Sequence, residues 1–229
     1  MNETSPNRPI RSFVRREGRI TAAQQCALQR LWGRYGIDSD GGHKLTSESL
    51  FGNHRPLFLE IGFGNGEDLL HNAIRHPHRN YLGIEVHRPG VGHLLLGLER
   101  HGIDNVRVAC ADAVEILRQR IPDPGLDGVN LFFPDPWPKK KHHKRRIVQR
   151  PFVALLAKKL TAGAVLHIAT DWEDYAGQIL AVLQASPEFE NVAGMRGFPV
   201  NPPPRAHTRF EKRGRRLGHG VWELVFRRL

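Results

Sequence analysis

Short apolar runs and amphipathic segments alternate along most of the chain, and the alternation predicts its architecture. Residues 57–61, 81–86, 106–109, 128–133 and 164–169 are largely apolar stretches, the pattern of strands buried on both faces. After each comes a segment whose apolar residues recur three and four apart. Residues 67–76 place Leu69, Leu70, Ala73 and Ile74 on one helical face before Pro77 stops the helix. Val91, Leu94, Leu95 and Leu98 mark a second helix closed by Gly102. A brief helix is predicted at 114–120, one at 151–160 with Pro151 in its first turn, and one at 173–185 capped by Thr170 or Asp171. Ahead of them, Thr21 caps an amphipathic helix over 21–32. The rhythm breaks near the end, where 189–193 and 220–226 read as two strands flanking a Pro- and Arg-rich insert at 199–219.

Strands joined through helices run parallel, whereas a pair joined without one forms a hairpin. The expected fold is therefore α/β, a doubly wound, mostly parallel seven-stranded sheet with an antiparallel edge hairpin. Residues 33–55 show no period, and Gly41 and Gly42 among scattered Ser and Asn give them the look of a linker. The chain divides into 1–55, a basic N-terminal arm with a short helix and linker, and 56–229, the domain that carries the sheet.

Ligands of such sheets bind beyond the strand ends, so the residues there bear on chemistry. Gly62, Gly64 and Gly66 follow the 57–61 strand and let the backbone come close to a ligand. A dinucleotide fingerprint has its third Gly or Ala where Glu67 stands, and Glu60, Glu67 and Asp68 surround the loop with negative charge. Acid at a helix N-terminus competes with a pyrophosphate for the same positive end of the dipole. The loop suits a cationic nucleoside without phosphate, a description that S-adenosylmethionine meets. Glu85 ends the 81–86 strand, where an acid meets ribose hydroxyls, and Asp112 follows the 106–109 strand, in place to accept from an adenine amino group. Singly, each acid reads as a helix cap or a loop residue. As a set they favour an adenosyl pocket, and methyl transfer over hydride transfer. The element order is that of a Rossmann-like class I methyltransferase, which makes 56–229 an S-adenosylmethionine-dependent methyltransferase domain.

Charge adds a second partner. The 229 residues hold 34 Lys and Arg against 23 Asp and Glu, a net charge of +11, and an excess of that size recruits phosphate-rich polymers. Part of it follows the 128–133 strand, where Pro134, Asp135, Pro136, Trp137 and Pro138 lead into Lys139, Lys140, Lys141, Lys144, Arg145 and Arg146, broken only by His142 and His143. A proline-framed acid, the flat rings of Phe132, Phe133 and Trp137, and a cationic rail suggest chemistry on a nucleobase. A Pro-rich turn followed by a solvated loop is the plainer alternative. There is no long apolar run or basic amphipathic helix to anchor the chain in a membrane. Cys26 and Cys110 are the only cysteines and residues 1–19 lack the apolar core of a secretion signal, so a reducing, cytoplasmic location is expected. The histidine pair has no ligand spacing, and no metal is expected.

Several motifs together resemble the bacterial tRNA (guanine-N7-)-methyltransferase family. They are Arg11-Ser12-Phe13-Val14-Arg15-Arg16-Glu17-Gly18-Arg19, Glu60-Ile61-Gly62-Phe63-Gly64-Asn65-Gly66, Pro134-Asp135-Pro136-Trp137-Pro138-Lys139-Lys140-Lys141-His142 and Thr208-Arg209-Phe210-Glu211-Lys212-Arg213-Gly214. The proline-framed Asp with its Trp and Lys run is specific; the glycine loop is not. The resemblance implies methylation of N7 of guanine 46 in the tRNA variable loop, with S-adenosylmethionine as the cofactor. By matching position it assigns Glu60, Glu85, Asp112 and Asp135 to the cofactor or the reaction centre. It assigns Lys139, Asp171, Thr208, Arg209, Phe210 and Glu211 to the substrate, and 141–146 to RNA.

Guanine N7 has an in-plane lone pair and no hydrogen, so its methylation needs no base at that atom. A catalytic Asp135 is expected to work by positioning and electrostatics. No obligatory protein partner is inferred, and monomer and homodimer are both compatible with the sequence. Two competing readings are an exocyclic-amine nucleic-acid methyltransferase and a methyltransferase-fold RNA-binding protein without catalysis. The first has two consecutive prolines in its signature, whereas here Pro136 is followed by Trp137.

Overall fold

The computed structural model describes residues 12–13, 18–38, 41–194, 197–206, 211 and 220–229. Its elements in chain order are α1 (Ala22–Tyr35), β1 (Gly36–Ile37), α2 (Ser47–Phe51), β2 (Leu57–Ile61), α3 (Glu67–Arg75), β3 (Asn80–Ile84), α4 (Arg88–Arg100), β4 (Val106–Ala109) and α5 (Ala113–Gln119). There follow β5 (Leu126–Phe132), a 3-10 turn at Lys140–Arg145, α6 (Arg150–Lys159), β6 (Leu160–Thr170), α7 (Glu173–Gln184), β7 (Phe189–Asn191) and β8 (Trp222–Arg228). The predicted cap of α1 is present as a reciprocal pair: Thr21 accepts from the Gln24 N–H, and Gln24 Oε1 accepts from the Thr21 N–H.

The strands form one sheet in the order β1-β4-β3-β2-β5-β6-β8-β7. β8 runs antiparallel to β6 and β7, and every other pairing is parallel. The edge hairpin is as the sequence predicts, but among the described residues the sheet has eight strands rather than seven. The extra one is β1, two residues inside the 33–55 stretch, with Gly36 opposite Val108 and Ile37 opposite Ala109. A strand of that length has no period to detect. α2 lies in the same stretch, and Asn80 fastens it by donating to Ser47 Oγ at 3.0 Å while also donating to Asn53 Oδ1 at 2.7 Å.

Alternate residues of the central strands feed two apolar clusters. Leu57, Leu59, Ile61, Leu82 and Ile84 pack with α5, α6 and α7, while Tyr81, Val106 and Val108 pack with α1, α3 and α4. Helices thus cover both faces, and β2 lies where the winding reverses, between β3 and β5. Because β2 to β6 are parallel, their C-terminal ends share one edge. Among the described residues no helix is long and apolar enough to cross a membrane.

Candidate active site

Glu60, near the end of β2, is in register with Gly83 of β3 and Asn130 of β5. It is 4% exposed, and its Oε2 has no hydrogen-bond partner among the described residues. Burial, and after it the negative charges of Asp68 and Glu85, push its carboxyl well above the usual carboxylate range. The chain leaves β2 through three left-handed glycines, with φ of 70° at Gly62, 58° at Gly64 and 78° at Gly66. Glu85 braces that loop. Its Oε2 accepts from the Gly64 N–H at 2.8 Å, and its Oε1 accepts from the N–H groups of Val86 and His87 at 2.6 and 2.9 Å. α4 closes against the same loop so tightly that a Cβ on Gly90 would stand 2.1 Å from the Gly64 carbonyl oxygen. Asp112 is the N-cap of α5, with Oδ1 accepting from the Val114 N–H at 2.9 Å.

The proline-framed acid follows β5. The last sheet bond runs from the Phe133 N–H to the Ala169 carbonyl at 2.8 Å, and the chain then turns through two residues of positive φ, Phe133 at 51° and Trp137 at 45°. Bulky residues hold such a conformation only where their surroundings fix it. Trp137 is fixed by its indole N–H, which donates to the Ser12 carbonyl at 3.1 Å, and by the Arg145 guanidinium, 3.7 Å from its ring centroid. Between these residues Asp135 is exposed.

The basic run divides. Lys139, Lys140, Lys141 and Lys144 are exposed, and Arg145 lies on Trp137. Arg146, expected to face RNA, is instead 2% exposed. Its Nε donates to the Pro136 carbonyl at 2.7 Å, and its other nitrogens reach Gln178 Oε1 and Asp174 Oδ2, each at 2.6 Å. The Tyr175 ring lies below it, with the centroid 4.8 Å away. Arg146 therefore fastens the loop of Asp135 to α7, and its hydrogen bond holds the Asp174 carboxyl below the usual range. Asp171 is half-buried between β6 and α7. Glu211 is fully buried and paired with Arg205, so in this structure it does not face outward to a substrate. Thr208, Arg209 and Phe210 lie outside the described residues.

A buried polar group at this edge escapes sequence reasoning. Arg205 pairs with Glu211 and Glu223, and Glu223 Oε2 lies 2.6 Å from His167 Nε2. Burial raises the Glu223 carboxyl, but hydrogen bonds from His167 and Arg205 outweigh it and hold the group below the usual range. Asp68 takes part next door: its Oδ1 accepts from the Ala206 N–H at 2.6 Å and its Oδ2 from Asn72 at 2.7 Å. The one signal in the chain is a polar residue inside an apolar strand, at His167 and Glu223, which pairing places on the diagonal of β6 and β8.

A doubly wound sheet with a glycine turn and carboxylates at successive strand ends has the binding edge of a class I methyltransferase. Comparison with known proteins supports and narrows that class. A family model described as "Putative methyltransferase" matches residues 54–224. The tRNA (guanine-N(7)-)-methyltransferase of Alkalilimnicola ehrlichii is 56% identical over 96% of this chain and 93% of its own length. That of Halorhodospira halophila is 53% identical over 97% and 96%. Among solved structures, the 16S rRNA methyltransferase KamB aligns with a TM-score of 0.53 at 14% identity, over 80% of this chain and 92% of that one. An rRNA methylase from Streptococcus thermophilus aligns at 0.50 with 13% identity, over 76% and 87%, and both support the fold alone. The chain belongs to the tRNA (guanine-N7-)-methyltransferase family.

Glu60 gives a test that needs no substrate. Its folded-state pKa lies above the unfolded value, so its contribution to stability is complete below the unfolded value and is lost as pH rises through the folded one. Without ligand, Glu60→Gln is expected to be more stable than wild type at about pH 8 by roughly 1–3 kcal/mol. The difference should close as the pH falls to about 4, where both side chains are neutral. Thermal melts across this range check it, and a less stable variant at the alkaline end contradicts it.

Proposed function

We propose that the protein transfers a methyl group from S-adenosylmethionine to N7 of guanine 46 in tRNA, forming 7-methylguanosine, and that it acts in the cytoplasm. The observation that carries the reading is the placement of Asp135, an exposed acid held between two prolines, on the same sheet edge as the buried Glu60, whose Oε2 has no hydrogen-bond partner among the described residues.

The residues at this edge fit a cationic cofactor. A carboxylate with a buried unpartnered oxygen calls for a positive group. Glu60 provides that countercharge, Gly62, Gly64 and Gly66 admit the ligand close to the backbone, Glu85 accepts from the ribose, and Asp112 accepts from the adenine amino group. S-adenosylmethionine, when bound, supplies an electrophilic methyl on a sulfonium. Asp135 accepts hydrogen bonds from guanine N1–H and the amino group, orienting N7, and its charge offsets the positive charge that N7 alkylation places on the imidazole ring. It removes no proton from N7. Lys139 and Asp171 contact the substrate, with Thr208, Arg209 and Phe210 of the insert, and Lys140, Lys141, Lys144 and Arg145 hold the RNA backbone.

Transcripts that differ only at guanine 46 test the site: methylation is expected with guanine and absent when it is replaced. With the matching transcript, Asp135→Asn is expected to lower the single-turnover rate by about 100-fold while leaving tRNA affinity nearly unchanged. Equal losses in both contradict the role given to Asp135. Replacing Lys140, Lys141 and Lys144 together by Ala should weaken tRNA binding and reduce its salt slope by roughly 0.7–0.9 for each phosphate that is no longer neutralised. Arg146→Ala should instead lower thermal stability, by about 2–3 kcal/mol, because its bonds are internal. An unchanged salt slope in the lysine variant assigns that run to solvent.

A further inference from the structure

The outer side of α3 carries charge that the site at the strand ends does not use. Leu69 and Ala73 are buried, whereas His71 and Arg75, four residues apart on one face, are exposed. The helix starts beside the glycine loop and ends at Arg75, its nine residues rising about 13 Å. The turn that follows, 76–79, lies where β2 and β3 begin, and the Asn80 N–H donates to the Pro56 carbonyl there at 2.8 Å. Two guanidiniums are held in place at this end. Arg55 Nη1 donates to the Pro77 carbonyl at 2.9 Å, and the Arg79 guanidinium carbon lies 4.7 Å from the Phe58 ring centroid. The rings of His76 and His78 meet edge to face, with centroids 5.8 Å apart. Burial, and after it the charges of Arg79, His78, Arg75 and His71, push the His76 imidazole below its usual range, so these groups share one electropositive patch.

Arg75 alone reads as a cation suited to the negative end of the α3 dipole. That leaves Arg55, His78 and Arg79 without an account. Among the described residues no carboxylate pairs with Arg55, Arg75 or Arg79, whereas Arg30, Arg146 and Arg205 each face one. Like charges gathered without a countercharge repel one another, and an anionic polymer relieves that repulsion. Guanidiniums already fixed by a carbonyl and a ring lose little freedom when they bind phosphate.

We propose that the outer face of α3 and the 76–79 turn, with Arg55, Arg75 and Arg79 as the cations, form a second RNA-binding surface that grips phosphates of the tRNA body while the target base lies at the strand ends. This rests on the reading of tRNA as the substrate. The surface is separate from the lysine run after Asp135, because its cations stand at the opposite ends of the strands. Contacts to phosphate orient the RNA without reading its bases, so the surface positions the tRNA and leaves the choice of guanine to the site.

The test replaces Arg55, Arg75 and Arg79 together by Gln in the full chain and measures tRNA affinity across a range of salt concentrations. The dissociation constant for tRNA is expected to rise about tenfold or more, and the salt slope to fall by about 2 to 3, for three phosphates no longer neutralised. The dissociation constant for S-adenosylmethionine should stay within about twofold. Wild-type affinity and salt slope in this variant overturn the proposal. A loss of S-adenosylmethionine affinity as large as the loss of tRNA affinity overturns it as well, because the effect then runs through the glycine loop at the start of α3. Should the triple variant melt far below wild type, Arg75→Glu decides, since Arg75 is exposed and makes no internal bond among the described residues. It should weaken tRNA binding about threefold or more, and wild-type affinity there overturns the proposal. The two layers separate in the wild-type protein. Failure to bind and methylate tRNA removes the substrate reading and the proposal with it, whereas wild-type binding and methylation with an unaffected triple variant remove only the second surface.

Discussion

A carboxylate that is 4% exposed, with one oxygen unpartnered among the described residues, is an unfavourable group to fold around, and Glu60 is that group. No cation among the described residues bonds to it, and its nearest charged influences, Asp68 and Glu85, are themselves negative. A fold that stabilised itself would put an apolar side chain or a paired acid there. Much of the site follows from serving a positive ligand at this point. The glycines give backbone access, and Glu85 braces the loop that makes the access. The net charge of +11 is thus partitioned, with acid at the strand ends and cations such as the exposed lysines 139–141 on the surface beyond.

The boundary between the two regions is held by arginines. Arg146 ties the Pro136 carbonyl to α7, and Arg145 lies on Trp137, which reaches back to Ser12. On the other flank Arg205 ties the insert to β8 and lies near Phe132 and Phe133. The exposed Asp135 sits between these clamps on a backbone stiffened by two prolines. A group meant to orient a base by hydrogen bonds gains from such rigidity, because misplacement lowers the rate steeply.

The parallel strands were legible because buried strands announce themselves as apolar runs, and the acids at their ends because each run stops abruptly. β1 was not legible, since two residues carry no period and their placement depends on β4, some seventy residues later. Within the basic run, sequence could not tell Lys144 from Arg146. The difference lies in the 3-10 turn and in Asp174 and Gln178, on a helix some thirty residues further along. The Arg205 group was hidden for the same reason: its members come from the insert and from two strands that meet only in the folded sheet.

Chemical mapping of the modified nucleotide reaches the central claim most directly. Reduction followed by aniline treatment breaks RNA at 7-methylguanosine, so tRNA incubated with the protein and S-adenosylmethionine should be cut at position 46 and nowhere else. A methylated guanosine that resists this cleavage carries its methyl on another atom, and that result would contradict the account of Asp135.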